Sequence, residues 1–271
     1  MTARKLLALL LASLLLLAVS LPVLSAAEGE ATEEETEDLS LDEDSGEEEP
    51  AEEPAEDTEV NTAREAFIED IIALGKALYE KADDKAQRAQ YKGDIYVCKN
   101  FTVYLFRQTR DKYRMAEFPD VELKIPNNLP AKKCKPYYYG FLWEDIPAEN
   151  GNPFYVAAQF RYDSSLSKDE NMELAVAFMR EVKKGDYFQM SANYEYGVGA
   201  HSAIMISDYD PDTNTVHWMD SNMRGHKRNG IRYGIVQFDE EKEITWWAKA
   251  FCHKKRGATL YRLRDDIIFA E

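Results

Sequence analysis

Metal-ligating side chains are scarce in this sequence, which has four histidines and three cysteines among 271 residues. Protein zinc sites use several such side chains at paired spacings along the chain. His217, His226, His253 and Cys252 show no paired spacing, so we expect neither a metal nor another cofactor. We interpret His217 as structural, and we place His226 and His253 in solvated basic stretches. No internal repeat is visible.

Basic residues are absent from residues 28–60, which contain 18 Asp or Glu and no Lys or Arg. Such a segment repels itself and has little apolar surface to bury, so we predict a disordered acidic tether. The tether accounts for nearly all of the net charge of −17, because the chain after residue 60 has 32 acids and 31 bases. Basic clusters occur at 226–228 and 253–256, but no basic stripe is present. The sequence therefore argues against nucleic acid as a partner.

Arg4 and Lys5 near the start of the sequence are followed by an apolar run at 6–19 and then by the small residues Ser25, Ala26 and Ala27. These are the three parts of a secretory signal peptide, and we predict cleavage near Ala27. The chain would then be secreted and carry no membrane span. An uncleaved membrane anchor is the alternative, since apolar residues continue almost to residue 24.

The three cysteines, Cys98, Cys134 and Cys252, cannot all be paired with one another. An odd number in an exported chain leaves either one disulfide and one thiol or three thiols. Cys134 and Cys252 could form the disulfide, and Cys98 would then remain a thiol. The sequence does not decide between these arrangements.

Residues 61–271 form the predicted folded domain. Apolar residues three and four apart predict a helix at about 62–89, and a second helix at 169–183 is capped by Ser167 or Asp169. Strand-like runs follow at 230–238, 244–250 and 258–263. Helices first and strands later is the order of an α+β fold with an antiparallel sheet.

A proline-rich insertion interrupts the domain at about 108–168 and contains an aromatic cluster at 137–143. It could line a groove or form a lid, but short strands and packing are the interpretation that we favour. Trp246 and Trp247 lie on the predicted strand at 244–250, so one ring should be buried and the other exposed.

Cys98 lies at the predicted start of a helix whose apolar face includes Phe101 and Leu105. A thiol at a helix start is close to unpaired backbone N–H groups and to the positive end of the helix dipole, which lower its pKa. A small buried hydrophobic residue is the alternative role for this cysteine.

His201 begins a strongly apolar strand, and the turn at 210–214 reverses the chain into a second strand that ends near Asp220 and Asn222. On such a hairpin the histidine and these two residues fall at the same end. Asp220 and Asn222 are two residues apart, so both side chains point to one face. A histidine facing a carboxylate and an amide is the supporting part of a nucleophile–base–orienter site, and Cys98 is the candidate nucleophile.

These segments resemble, in their order, the papain-like cell-wall cysteine peptidases and amidases of the CHAP and NlpC group. The resemblance covers roughly residues 90–265. It rests on Cys98 to Phe101 at a helix start, Gly185-Asp186 before a strand, His201-Ser202-Ala203-Ile204, and Asp220-Ser221-Asn222.

The resemblance implies a papain-like fold, in which N-terminal helices with the nucleophile at a helix start pack on an antiparallel sheet. It implies that Cys98 is the nucleophile and His201 the general base and acid. Asp220 would orient the imidazole, with Asn222 as a supporting polar group. The implied activity is that of a cysteine peptidase or N-acyl amidase that cleaves amide bonds in peptidoglycan or a related peptide, outside the cell or at the cell wall.

The residues beside Cys98 differ from the family pattern, which has an Asp before the cysteine and a small pair after it. Here Val97 precedes Cys98, and Lys99-Asn100 follow. A secreted binding domain that keeps this fold with weak or no catalysis is therefore the alternative.

Overall fold

The computed structural model describes residues 61–83, 89–124, 146–228 and 230–271, without the side chains of 222–228. The predicted signal peptide and tether, Cys134 and the aromatic cluster at 137–143 lie outside these residues. Within the described ranges, no helix has the length and apolar character needed to cross a membrane.

Four α-helices occur in the described chain: α1 (Thr62–Asp83), α2 (Cys98–Thr109), α3 (Lys168–Arg180) and α4 (Ile244–His253). The prediction of the first helix is confirmed, although Ala89 lies outside it and its carbonyl accepts the N–H of Gly234 at 3.2 Å. α3 is also confirmed. It begins with a capping box, in which the Ser167 hydroxyl accepts the Glu170 N–H and the Glu170 carboxylate accepts the Ser167 N–H.

The prediction of a strand at 244–250 is wrong, because this segment belongs to α4. Its buried side chains recur at spacings of three and four, which is the pattern of an amphipathic helix: Ile244, Trp247, Ala248, Phe251 and Cys252. Trp246 is 48% exposed and Trp247 only 2%. One ring is buried and the other exposed, as expected, but helical geometry rather than strand alternation separates them.

The central sheet has six strands: β2 (Phe154–Arg161), β3 (Tyr187–Met190), β4 (His201–Met205), β5 (Thr215–Arg228), β6 (Ile231–Glu243) and β7 (Gly257–Leu263). Their order is β2-β7-β3-β4-β5-β6, and every neighbouring pair is antiparallel. Two short strands, β1 (Tyr113–Met115) and β8 (Ile267–Phe269), form a separate antiparallel pair. Helices with antiparallel sheets confirm the α+β class.

The sheet separates two hydrophobic clusters. The first contains Phe67 of α1 and Phe101 of α2, and the second contains side chains of α3 and α4. Tyr187 of β3 belongs to the first cluster and Phe188 to the second, because successive side chains of a strand point to opposite faces. Strand β3 is therefore buried on both faces, and the helices lie in a layer on each side of it.

The described part of the 108–168 insertion adds a strand to the sheet, as the packing interpretation predicts. β2 forms the edge of the sheet against β7, and a register shift between Val156 and Ala158 breaks its alternation. Phe154 consequently packs in the first hydrophobic cluster and Phe160 in the second.

The Gly185-Asp186 pair leads into β3. Gly185 has φ +88°, and a Cβ there would lie 2.7 Å from Ile68, so both backbone conformation and packing require glycine. The Asp186 carboxylate is fully buried and accepts Nε and Nη2 of Arg262, each at 2.8 Å. Burial raises the pKa of Asp186, and the Arg262 guanidinium opposes that rise. This pair joins the entry of β3 to β7.

Asp186→Asn should lower the free energy of unfolding by about 3 kcal/mol, because a mostly buried guanidinium would lose its charge partner. Urea unfolding monitored by circular dichroism measures the change. Asp265→Asn is the matched control, since the Asp265 side chain is 88% exposed and lies 3.3 Å from Arg64. We expect the control to cost less than about 1 kcal/mol. Equal losses in the two variants would contradict the prediction.

Candidate active site

Cys98 is the first residue of α2, so the predicted helix start is confirmed. Val97 before it is extended, with φ −113° and ψ 135°, and no side chain caps the helix. The N–H of Phe101 donates to the carbonyl of Val97 at 2.7 Å, and the Phe101 ring is fully buried. The buried ring fixes the first turn of the helix. The positive end of the helix dipole then lies at the thiol, where it favours the thiolate.

His201 is the first residue of β4, and its imidazole contacts both of the other predicted site residues. Its Nε2 lies 2.8 Å from Oδ2 of Asp220, and the ring also forms a hydrogen bond with the side chain of Cys98. Since Nε2 contacts Asp220, we infer that Nδ1 is the ring nitrogen that contacts the Cys98 sulfur. The structure thus brings together Cys98 of α2, His201 of β4 and Asp220 of β5.

The imidazole of His201 is held in its protonated form. Burial lowers the pKa of this histidine, but the hydrogen bonds to Asp220 and Cys98 and their negative charges outweigh burial and raise the pKa from 6.5 to about 9. At neutral pH the ring therefore carries a positive charge between a carboxylate and a sulfur atom. Such a charge also stabilises a thiolate.

Asp220 is buried, and its two carboxylate oxygens have different surroundings. Oδ2 accepts both the His201 ring and, at 3.2 Å, the indole N–H of Trp218. Oδ1 is buried and forms no hydrogen bond with any described residue. The register of β5 against β6 shifts between Trp218 and Asp220. Such an irregularity re-aims side chains, and here it accompanies the convergence of Trp218 and His201 on one oxygen.

Asn222 continues β5 beyond Asp220, where its backbone is paired with Ile235 of β6. Its side chain is outside the described part of the structure. Asp220 is therefore the residue observed against the imidazole, and the supporting role of Asn222 stays a prediction.

Arg256 belongs to the basic cluster at 253–256 that we expected to be solvated, and for this residue the expectation is wrong. Its side chain is buried, with Nε donating to the carbonyl of Ser191 at 2.8 Å and Nη2 to that of Gly199 at 2.6 Å. Burial lowers the pKa of Arg256 to about 10. These bonds fix both ends of the segment that leads into His201. Spacing gives no signal for such a role.

Two of the remaining histidines, His217 and His253, are not among the contacts of the site in the described residues. His217 of β5 pairs with Asp239 through Nδ1 at 2.7 Å, which agrees with a structural role, and His253 is exposed. The side chain of His226 is not described. In the residues that the structure covers, no three His, Cys, Asp or Glu side chains group as metal ligands.

Cys252 is a buried thiol on α4, and burial raises its pKa. The partner suggested for it, Cys134, lies outside the described residues. Cys252 belongs to the second hydrophobic cluster, so the surroundings of the two described cysteines differ sharply. Only Cys98 lies at a helix start beside a histidine.

The role of the Cys98, His201 and Asp220 group must be judged from its own geometry and charge. Comparisons with protein-family models, with curated proteins and with solved structures found no match to this chain.

Proposed function

We propose that this chain is an exported cysteine hydrolase with a papain-like arrangement of the CHAP and NlpC type. It would cleave amide bonds in peptidoglycan or a related peptide. The observation that carries the proposal is the hydrogen-bonded series Cys98–His201–Asp220, which has the nucleophile, base and orienter that amide hydrolysis by a cysteine needs. The apolar segment at 6–19, preceded by two bases, supports export.

In the first half of the reaction, the Cys98 thiolate attacks the carbonyl carbon of the scissile amide, and the electron pair of the C=O bond moves to oxygen. Backbone N–H groups at the start of α2 donate to this developing negative charge. As the tetrahedral adduct collapses, the C–N bond breaks and His201 gives its Nδ1 proton to the leaving amine. The products are an amine and a thioester on Cys98.

In the second half, His201 is neutral and takes a proton from water through Nδ1. The resulting hydroxide attacks the thioester carbonyl, and the C–S bond breaks to release the carboxylic acid product. Cys98 returns to the thiolate and His201 to the imidazolium. Asp220 keeps the proton on Nε2 throughout, so that Nδ1 always faces the reacting atoms.

A thiol-reactivity measurement separates this enzyme from the alternative, a secreted binding domain without catalysis. At pH 6 an ordinary thiol is only about 0.3% thiolate, whereas a thiolate–imidazolium pair is largely ionised. We therefore expect iodoacetamide to modify Cys98 at pH 6 on the order of 100-fold faster than an ordinary thiol reacts. Mass spectrometry of the Cys98 peptide during a time course gives the rate.

Cys252 provides an internal control in the same sample, because burial raises its pKa and should slow its modification at pH 6. The His201→Ala variant should reduce the Cys98 rate to that of an ordinary thiol. A wild-type Cys98 that reacts no faster than Cys252 at pH 6 would favour the binding domain over the hydrolase.

A further inference from the structure

The segment at 191–200, which we call the lip, is held rigidly although it contains little regular structure. Arg256 binds the carbonyls of Ser191 and Gly199. Nδ2 of Asn193 donates to the carbonyls of Lys254 and Lys255 at 3.0 and 3.1 Å. The lip is therefore attached to the turn at 254–256 at three points: Ser191, Asn193 and Gly199. It leads directly into His201.

Position 199, two residues before His201, is occupied by a glycine that the fold itself does not require. A Cβ at Gly199 would meet no atom within 4 Å, and its φ lies outside the left-handed region. Gly197 differs, because its φ of +67° favours glycine on conformational grounds. The backbone at Gly199 is exposed and borders open space. An open backbone so close to the imidazole is suited to close approach by a substrate chain.

Lys255 holds a positive charge beside the lip. Its Nζ lies 5.6 Å from the ring centre of Tyr162 and 5.7 Å from that of Tyr196, and φ is +45°, a conformation that is uncommon for lysine. No carboxylate of the described chain forms an ion pair with it. The Tyr196 side chain also forms a hydrogen bond with the ammonium group. An ammonium has three N–H donors, so others remain for an external anion.

The charges around Lys255 favour a negative ligand. Lys254 is exposed and precedes it in the same turn, and the buried Arg256 follows it. The lip contributes one carboxylate, Glu195, which also acts on the Lys255 ammonium. The net charge around Lys255 is therefore positive, although the chain after residue 60 has nearly equal numbers of acids and bases.

We infer that the lip is a substrate-binding site selective for acidic peptides, in which the substrate backbone passes over Gly199 and Lys255 pairs with a substrate carboxylate. This inference rests on the proposed hydrolase function, because the lip is useful to the reaction only if His201 is part of it. It adds the class of peptide that the site prefers. A carboxylate close to the scissile amide would be recognised by charge and position together.

The test compares synthetic peptides that differ only by Glu or Gln at one position on either side of an amide bond. For the best pair, the wild-type chain should show a kcat/KM about tenfold higher for the Glu peptide, as expected for one charge-assisted contact. Lys255→Met should bring this ratio to about 1, chiefly by lowering kcat/KM for the Glu peptide. Lys249→Met, which removes an exposed charge on α4, should leave the ratio unchanged.

Gly199→Ala tests the backbone contact independently of charge. We expect KM to rise about tenfold for both peptides of a pair, with an unchanged Tm, because the added methyl enters open space used by substrate. Gly93→Ala is the matched control, since a Cβ at Gly93 also meets nothing within 4 Å. A KM that stays constant in Gly199→Ala would overturn this part of the inference.

Peptide binding to the Cys98→Ala chain, measured by isothermal titration calorimetry, supplies a readout that does not need hydrolysis. Tighter binding of the Glu peptide, lost in Cys98→Ala/Lys255→Met, would support the site even if turnover were absent. Equal affinities for Glu and Gln peptides would overturn it. In contrast, hydrolysis that persists in Cys98→Ala would refute the proposed function and leave the selectivity result standing.

Discussion

Replacing Cys98 by alanine should lower kcat/KM for amide hydrolysis at least about a thousandfold, because the thioester pathway then has no nucleophile. The assay follows the release of amine and carboxylate products from purified peptidoglycan and from synthetic peptides by mass spectrometry. Cys98 is small and lies at the end of a helix, so alanine fits without a large loss of stability. The position of cleavage in the products identifies the bond that is attacked.

Cys252→Ala is the control for this experiment, since it removes the other described thiol from a different environment. It lies in the second hydrophobic cluster and should keep wild-type hydrolysis, with a modest decrease in Tm from the lost sulfur. Full hydrolysis by Cys98→Ala would eliminate Cys98 as the nucleophile. A loss in both variants would indicate misfolding, which near-ultraviolet circular dichroism detects.

Asp220→Asn should lower kcat/KM by about 100-fold to 10,000-fold while the fold is kept. An amide is nearly the same size as the carboxylate, but it carries no charge to stabilise the imidazolium, and its NH₂ group can force the wrong histidine tautomer. Burial alone lowers the pKa of His201, so losing the carboxylate should move that pKa down from about 9. The alkaline limb of the kcat/KM profile should therefore shift to lower pH.

The free energy of unfolding should also fall as pH rises, because the protonated His201 contributes to it. The folded-state pKa of His201 is above its ordinary value of 6.5. The protonated ring therefore stabilises the fold fully below pH 6.5, and this contribution disappears as pH rises through about 9. Asp220→Asn should flatten the dependence of unfolding free energy on pH across that interval, which urea titrations at several pH values measure.

Asp239→Asn provides a matched control, because Asp239 also pairs with a histidine at 2.7 Å but that pair is on the surface and has no cysteine. It should change neither the rate nor the alkaline limb. An Asp220→Asn profile that superimposes on the wild-type profile would show that Asp220 does not control the imidazole.

The helices and the meeting of His201 with Asp220 could be predicted because they depend on patterns within short stretches of the sequence. The spacing of apolar residues predicts α1 and α3, and the apolar face with Phe101 and Leu105 predicts a helix that begins at Cys98. A hairpin places the beginning of one strand beside the end of the next, and this rule predicts that His201 and Asp220 meet. These inferences need only local periodicity and a turn.

Other features depend on contacts that no spacing reveals. Strand-like composition concealed α4, because its helical stripe becomes clear only when Phe251 and Cys252 are included. The indole of Trp218 donates to Asp220 beside a register shift in β5, and strand alternation does not predict that shift. Arg256 lies in a basic stretch that was expected to be solvated, but its guanidinium is buried and donates to two backbone carbonyls distant in sequence.

The hydrogen bond between Cys98 and His201 joins a helix near the start of the domain to a strand far along the chain. Local structure cannot form it, since the sheet must first bring β4 and β5 against α2. An unfolded or half-made chain would therefore contain only ordinary thiols and no activated sulfur. The Cys98–His201 contact therefore forms only with native folding, and on the proposed function the chain would be unreactive toward amides until it folds.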